Sequence, residues 1–100
     1  MVEVTSLDTI RKGNVVVDFY TSTCAPCRAL TPVMEEISSE YKNTLVAKVE
    51  VTQNPDISQM FGVMTVPTVI FMTDCKVNHV VRGFSGKDSY KTLAKQYCTR

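Results

Sequence analysis

The stretch VVVDFYTSTCAPCRALTP, Val15 to Pro32, decides how the rest of the chain is read. Its first six residues, Val15-Val16-Val17-Asp18-Phe19-Tyr20, form an apolar run of strand length, broken by a single aspartate. Apolar on both alternating faces, they have the pattern of a central strand covered on both sides. From Pro26 to about Tyr41, Leu30, Met34, Ile37 and Tyr41 recur at helical spacing, with Glu35, Glu36 and Glu40 elsewhere around the cylinder. Between strand and helix lies a short polar turn carrying two cysteines two residues apart, Cys24 and Cys27.

Working outward, Val2 to Val4 reads as a short edge strand. Ser6 offers an N-cap for a brief helix running to about Lys12 and stopping at Gly13. Downstream, Thr44 to Val51 alternates like a strand, and Asn54-Pro55-Asp56 opens a helix that Gly62 would stop. Val66 to Met72 is another apolar strand, and Val77 to Phe84 pairs with it across the turn Thr73-Asp74-Cys75-Lys76. Ser85 with Asp88 resembles a capping box before a last helix striped by Tyr90, Leu93, Ala94 and Tyr97. Met60, Met64 and Met72 read as core or groove filling. The order βαβαβαββα implies an α/β fold of right-handed parallel crossovers closed by one antiparallel hairpin.

One hundred residues with 44% hydrophobic side chains suit a single domain, residues 1–100, with a real core. A formal net charge of +1 leaves no electrostatic footprint for nucleic acid. No apolar run approaches membrane-spanning length, and the first residues hold no apolar signal core. The expectation is a cytoplasmic protein that engages neither nucleic acid nor membrane. Thiols there are kept reduced, so four cysteines argue against a disulfide scaffold and for chemistry or metal binding.

Pro26 suits the first turn of a helix, where its missing N–H costs nothing. Cys24 then lies at the helix N-terminus, and Cys27 aligns with the stripe Leu30, Met34, Ile37 that faces the protein. Free amides and the helix dipole favour a thiolate at Cys24, making it the nucleophile, while Cys27 is the shielded resolving thiol. Such asymmetry suits a two-step disulfide exchange. Two other readings stand beside it at this point. One is an inert buried pair. The other is a zinc site, which needs four ligands and would have to recruit Cys75, His79 or Cys98.

Taken together, VVVDFY, CAPC with Arg28, Pro32 within the helix, VAKVEVTQNP, VPTVIFM and Gly83 before the last helix resemble the thioredoxin family nearly end to end. The resemblance implies a thioredoxin fold, a five-stranded mixed sheet flanked by four helices. It implies a protein-disulfide reductase that carries electrons on its own Cys24–Cys27 disulfide, needs no other cofactor and binds no metal. Its partners would be thioredoxin reductase as donor and disulfide-containing proteins as substrates, with the chain acting as a monomer. Asp18 matches the family's buried carboxylate; burial alone should raise its pKa and make it a proton acceptor for Cys27. Lys48 matches a lysine beside that carboxylate, and Pro26 supports the site. Pro67 matches a cis-proline packed against the cysteines. The backbone at Val66 would pair with an extended substrate, on a surface shared by Thr23, Ala25 and Gly83.

Three departures qualify the match. The chain has no tryptophan; Thr23 and Tyr20 stand where the family usually carries it. Ala25 replaces the usual glycine between the cysteines, and Cys75 replaces a common turn glycine. The missing tryptophan keeps a second hypothesis in view, a thioredoxin-fold binding module or assembly subunit whose redox activity is secondary. An oxidant or isomerase is disfavoured, because such relatives usually place His, not Pro, before the second cysteine.

Overall fold

The computed structural model describes residues Met1–Arg100. Five strands form one sheet in the order β1-β3-β2-β4-β5, where β1 is Val2–Glu3, β2 Asn14–Tyr20, β3 Thr44–Glu50, β4 Thr68–Thr73 and β5 Lys76–Arg82. The strand β2 lies at the centre, as its two apolar faces require, parallel to β3 and antiparallel to β4. The hairpin β4–β5 is antiparallel, with a register shift between Phe71 and Met72. Alternation along β2 divides the core into two. Val16 packs with Leu30, Met34 and Ile37 of α1 (Ala25–Glu40) and Tyr90 of α3 (Lys87–Tyr97). Val15, Val17 and Phe19 face the other way, toward Ile10 and toward Ile57 of α2 (Pro55–Met60). Asp18, two residues on from Val16, therefore shares the face covered by α1 and α3.

The fold is the expected one with three α-helices rather than four. The first expected helix is a single 3-10 turn, Leu7–Ile10, buried only at Ile10. Ser6 does cap it, its Oγ accepting from the Asp8 N–H at 3.3 Å. The chain must then turn into β2, where the Gly13 N–H donates to the Asp74 carboxylate at 2.8 Å, leaving no room for a second turn. The expected capping box at Ser85 does not form either. Gly86 is the N-cap of α3 and adopts φ +140°, a conformation that L side chains rarely take, with no side-chain cap bond. Of the three methionines expected as core or groove filling, Met72 is in the core, whereas Met60 is exposed and Met64 is 92% exposed.

Candidate active site

The central strand delivers the chain to the N-terminus of α1. After Tyr20 the backbone turns, and Cys24 adopts an extended conformation as the N-cap. Its Sγ accepts a hydrogen bond from the Cys27 N–H at 3.1 Å. Proline falls in the first turn, where an amide would have had no helical partner. Arg28 ties the turn down, its Nη1 donating to the Ser22 carbonyl at 3.3 Å. The two cysteines are joined as a disulfide with their Cα atoms 5.2 Å apart. They are unequal, for Cys27 is 2% exposed while Cys24 is half-buried, between exposed Thr23 and exposed Ala25 and Pro26.

Asp18 is 2% exposed, and its Oδ1 has no hydrogen-bond partner. Burial pushes the carboxyl up to about 7, with the charge of Lys48 pulling it part of the way back. Lys48 is the register partner of Asp18 on β3. It is not wholly Asp18's counter-charge, however. Its Nζ lies 3.7 Å from Glu3 Oε1 and 5.7 Å from the centre of the Tyr20 ring. Tyr20 donates its hydroxyl to the same Glu3 oxygen at 2.8 Å, and burial first, then Glu3, pushes that phenol up to about 12. Glu3 is invisible as a site residue in the sequence, because a two-residue edge strand gives no signal of what it lies beside.

Strand pairing brings the remaining positions to this end of the sheet. Phe19 pairs with Thr68, and Thr68 with Arg82, so Pro67 and Gly83 flank the end of β2 from which the cysteine turn departs. The Val66–Pro67 bond is cis. Pro67 is buried and Val66 half-buried. The N–H and carbonyl of Val66 make no hydrogen bond within the chain. The strand starts at Thr68 rather than at Val66, because the Thr68 hydroxyl donates back to the Thr65 carbonyl at 2.7 Å and holds a turn there. Gly83, at φ +84°, donates its N–H to the Pro67 carbonyl at 2.8 Å. The Gly83 carbonyl in turn accepts from the Tyr90 hydroxyl at 2.9 Å. In the sequence Tyr90 is legible only as one residue of an apolar stripe. Its polar end appears once the fold sets α3 against the Gly83 loop.

The other sulfur and imidazole groups lie outside this constellation. Cys75 is exposed in the β4–β5 turn at φ +67°, a left-handed conformation that favours glycine. Cys98 is half-buried beyond α3, and burial raises its thiol to about 11 against a hydrogen bond with Thr44. His79 stacks on the Tyr97 ring at 5.7 Å. No group of three or more His, Cys, Asp or Glu side chains converges anywhere in the molecule.

Comparison with known proteins agrees with this geometry. The family described as Thioredoxin matches residues 4–97. A thioredoxin of Mycoplasmoides gallisepticum is 41% identical over 81 residues, which is 81% of each chain. One from Chlamydia caviae is 36% identical over 88 residues, 88% of this chain and 86% of that one. Among solved structures, a point mutant of a thioredoxin from Halobacterium salinarum superposes with a TM-score of 0.87 at 29% identity, covering 99% of this chain and 91% of that one. A Plasmodium falciparum thioredoxin has a TM-score of 0.89 at 23% identity, over 98% of this chain and 100% of that one, a likeness of fold.

Proposed function

The chain belongs to the thioredoxin family and is a thiol–disulfide oxidoreductase; from that premise we propose how its residues divide the work. In the reduced protein the Cys24 thiolate attacks one sulfur of a substrate disulfide. The substrate S–S bond breaks, the Cys24–substrate disulfide forms, and the first substrate thiolate departs and takes up a proton. Asp18 then accepts the Cys27 proton. The Cys27 thiolate attacks Cys24 Sγ, closing the intramolecular disulfide and expelling the second substrate thiol. Two electrons have passed to the substrate, and a reductase must return them.

The observation that carries this reading is the inequality of the two thiols. Cys24 is accessible and sits where the Cys27 amide and the start of a 16-residue helix face its sulfur. Those groups stabilise a negative sulfur there and lower the thiol's pKa. Cys27, on the buried side of α1, is shielded from solvent and so from a substrate not already attached to Cys24. Asp18, poised near 7, is suited to hold a proton at the pH where the reaction runs. Lys48 tunes that carboxyl, and Pro26 starts the helix. The free backbone of Val66, beside Pro67 and Gly83, docks an extended peptide with little regard for its side chains. Thr23 and Ala25 form the exposed rim of that surface.

We assign thioredoxin reductase as electron donor, disulfide-bearing proteins as substrates, and the Cys24–Cys27 pair as the only redox group. We place the reaction in a reducing cytoplasm, carried out by a monomer; no helix is long and apolar enough to cross a membrane. A binding module with secondary redox activity is not favoured. The test is turnover of disulfide-linked insulin with dithiothreitol as donor, where Cys24→Ser should abolish the rate. Retention of turnover by that variant would overturn the assignment.

A further inference from the structure

Tyr90 contributes a fully buried phenol to the core under α3, at 0% exposure. Its ring packs among apolar side chains that include Val16, Leu30 and Val69, and lies 5.9 Å from the Phe84 ring. Phenylalanine would satisfy that packing. The hydroxyl is thus the feature to be explained, because a buried hydroxyl destabilises the fold unless it is hydrogen-bonded. It spends its bond on a loop, donating to the Gly83 carbonyl at 2.9 Å. No backbone N–H reaches that carbonyl. The Gly83 N–H, on the other side of the same residue, holds the Pro67 carbonyl at 2.8 Å. Gly83 is therefore anchored at both its polar groups, one to Tyr90 of α3 and one to the carbonyl of Pro67, the residue after Val66.

We infer that Tyr90 is a positioning residue for substrate docking: through Gly83 it fixes Pro67, and with it the unpaired backbone of Val66. The inference rests on the reading of Val66 and Pro67 as the docking backbone. A glycine at φ +84° has wide conformational freedom, and it has no side chain through which the core could hold it. Its two hydrogen bonds are what select one position. Burial of Tyr90, together with the nearby charge of Asp18, pushes the phenol up to about 12, so the group remains a hydrogen-bond donor across the working pH range.

The experiment measures saturation of the reduced protein by a disulfide-linked protein substrate, with the small disulfide 5,5′-dithiobis(2-nitrobenzoate) in parallel. Tyr90→Phe should raise the half-saturating concentration of the protein substrate roughly fivefold, the loss of one ordinary hydrogen bond, with the limiting rate unchanged. The small disulfide has no peptide to dock, and its rate should stay within about twofold, experimental scatter by comparison with that hydrogen bond. Amide exchange at Gly83 should accelerate while exchange in β2 stays as in the wild type. Pro67→Ala, measured alongside, separates the two layers of the argument. If it raises half-saturation and Tyr90→Phe does not, the role of Tyr90 is overturned and the docking reading stands. If neither moves it, the docking reading itself falls. An equal loss on both substrates would also overturn the inference, since Tyr90 would then act on the sulfur chemistry.

Discussion

Asp18 and Glu50 are the two buried carboxylates of this protein, 2% and 7% exposed. They sit two registers apart on neighbouring central strands, since Asp18 pairs with Lys48 and Tyr20 with Glu50. Their surroundings differ in kind. Glu50 is solvated by the chain itself: the Thr52 N–H donates to Oε1 at 3.0 Å, and the Thr52 hydroxyl donates to Oε2. Asp18 has an orphaned Oδ1 and only a shared, indirect cation in Lys48. One carboxylate is a structural part of the turn that leads toward α2. The other is held in a state that the fold does not satisfy, on the face that α1 covers. The difference is that Glu50 has its hydrogen bonds and Asp18 does not, which is why the proposed proton acceptor is Asp18.

Substitution at the two positions should therefore act with opposite sign. Asp18→Asn gives the largest effect. The folded carboxyl titrates at about 7 against an ordinary value of 3.8, so Asp18 is tolerated fully below pH 4 and becomes progressively destabilising as pH rises through 7. Urea unfolding at pH 8 should find Asp18→Asn more stable by on the order of 3 to 4 kcal/mol, with the gain shrinking toward nothing near pH 4. The same variant should slow resolution of the mixed disulfide at pH 7 roughly a hundredfold, the usual size of a lost general base. A stability gain that does not depend on pH would break the comparison. Glu50→Ala should do the reverse and more weakly, lowering stability at pH 8 by roughly 1 to 2 kcal/mol as its charged hydrogen bonds are lost. Turnover should be left near the wild-type rate.

Much of this is legible in the residues because the decisive signals are local. VVVDFY, the cysteine spacing and the α1 stripe all lie within one stretch of chain, and the strand, cap and helix they specify form as read. Where long-range packing decides, the residues alone stop short. Ser85 has the pattern of a cap, but Gly86 takes a conformation that starts α3 one residue later. Ser6 to Lys12 has helical propensity, and the turn into β2 shortens it. Met64 has the character of filling, yet the loop before the cis bond leaves it in solvent. Likewise Glu3 and the hydroxyl of Tyr90 are far from the cysteines in sequence, and only the register of the sheet and the seating of α3 bring them to one end. The half of the site that performs chemistry is written in consecutive residues. The half proposed to present the substrate is legible in the sequence only through the family resemblance, which names Val66, Pro67 and Gly83, and its hydrogen bonds only in the tertiary structure.

Separate tasks for Cys24 and Cys27 predict different outcomes when mixed disulfides are trapped. Cys27→Ser, reduced and mixed with a disulfide-linked protein, should accumulate a covalent adduct that mass spectrometry of the digested complex maps to Cys24. Cys24→Ser under the same conditions should form no adduct through Cys27. An adduct on Cys27 in the second variant, or none on Cys24 in the first, would contradict the account.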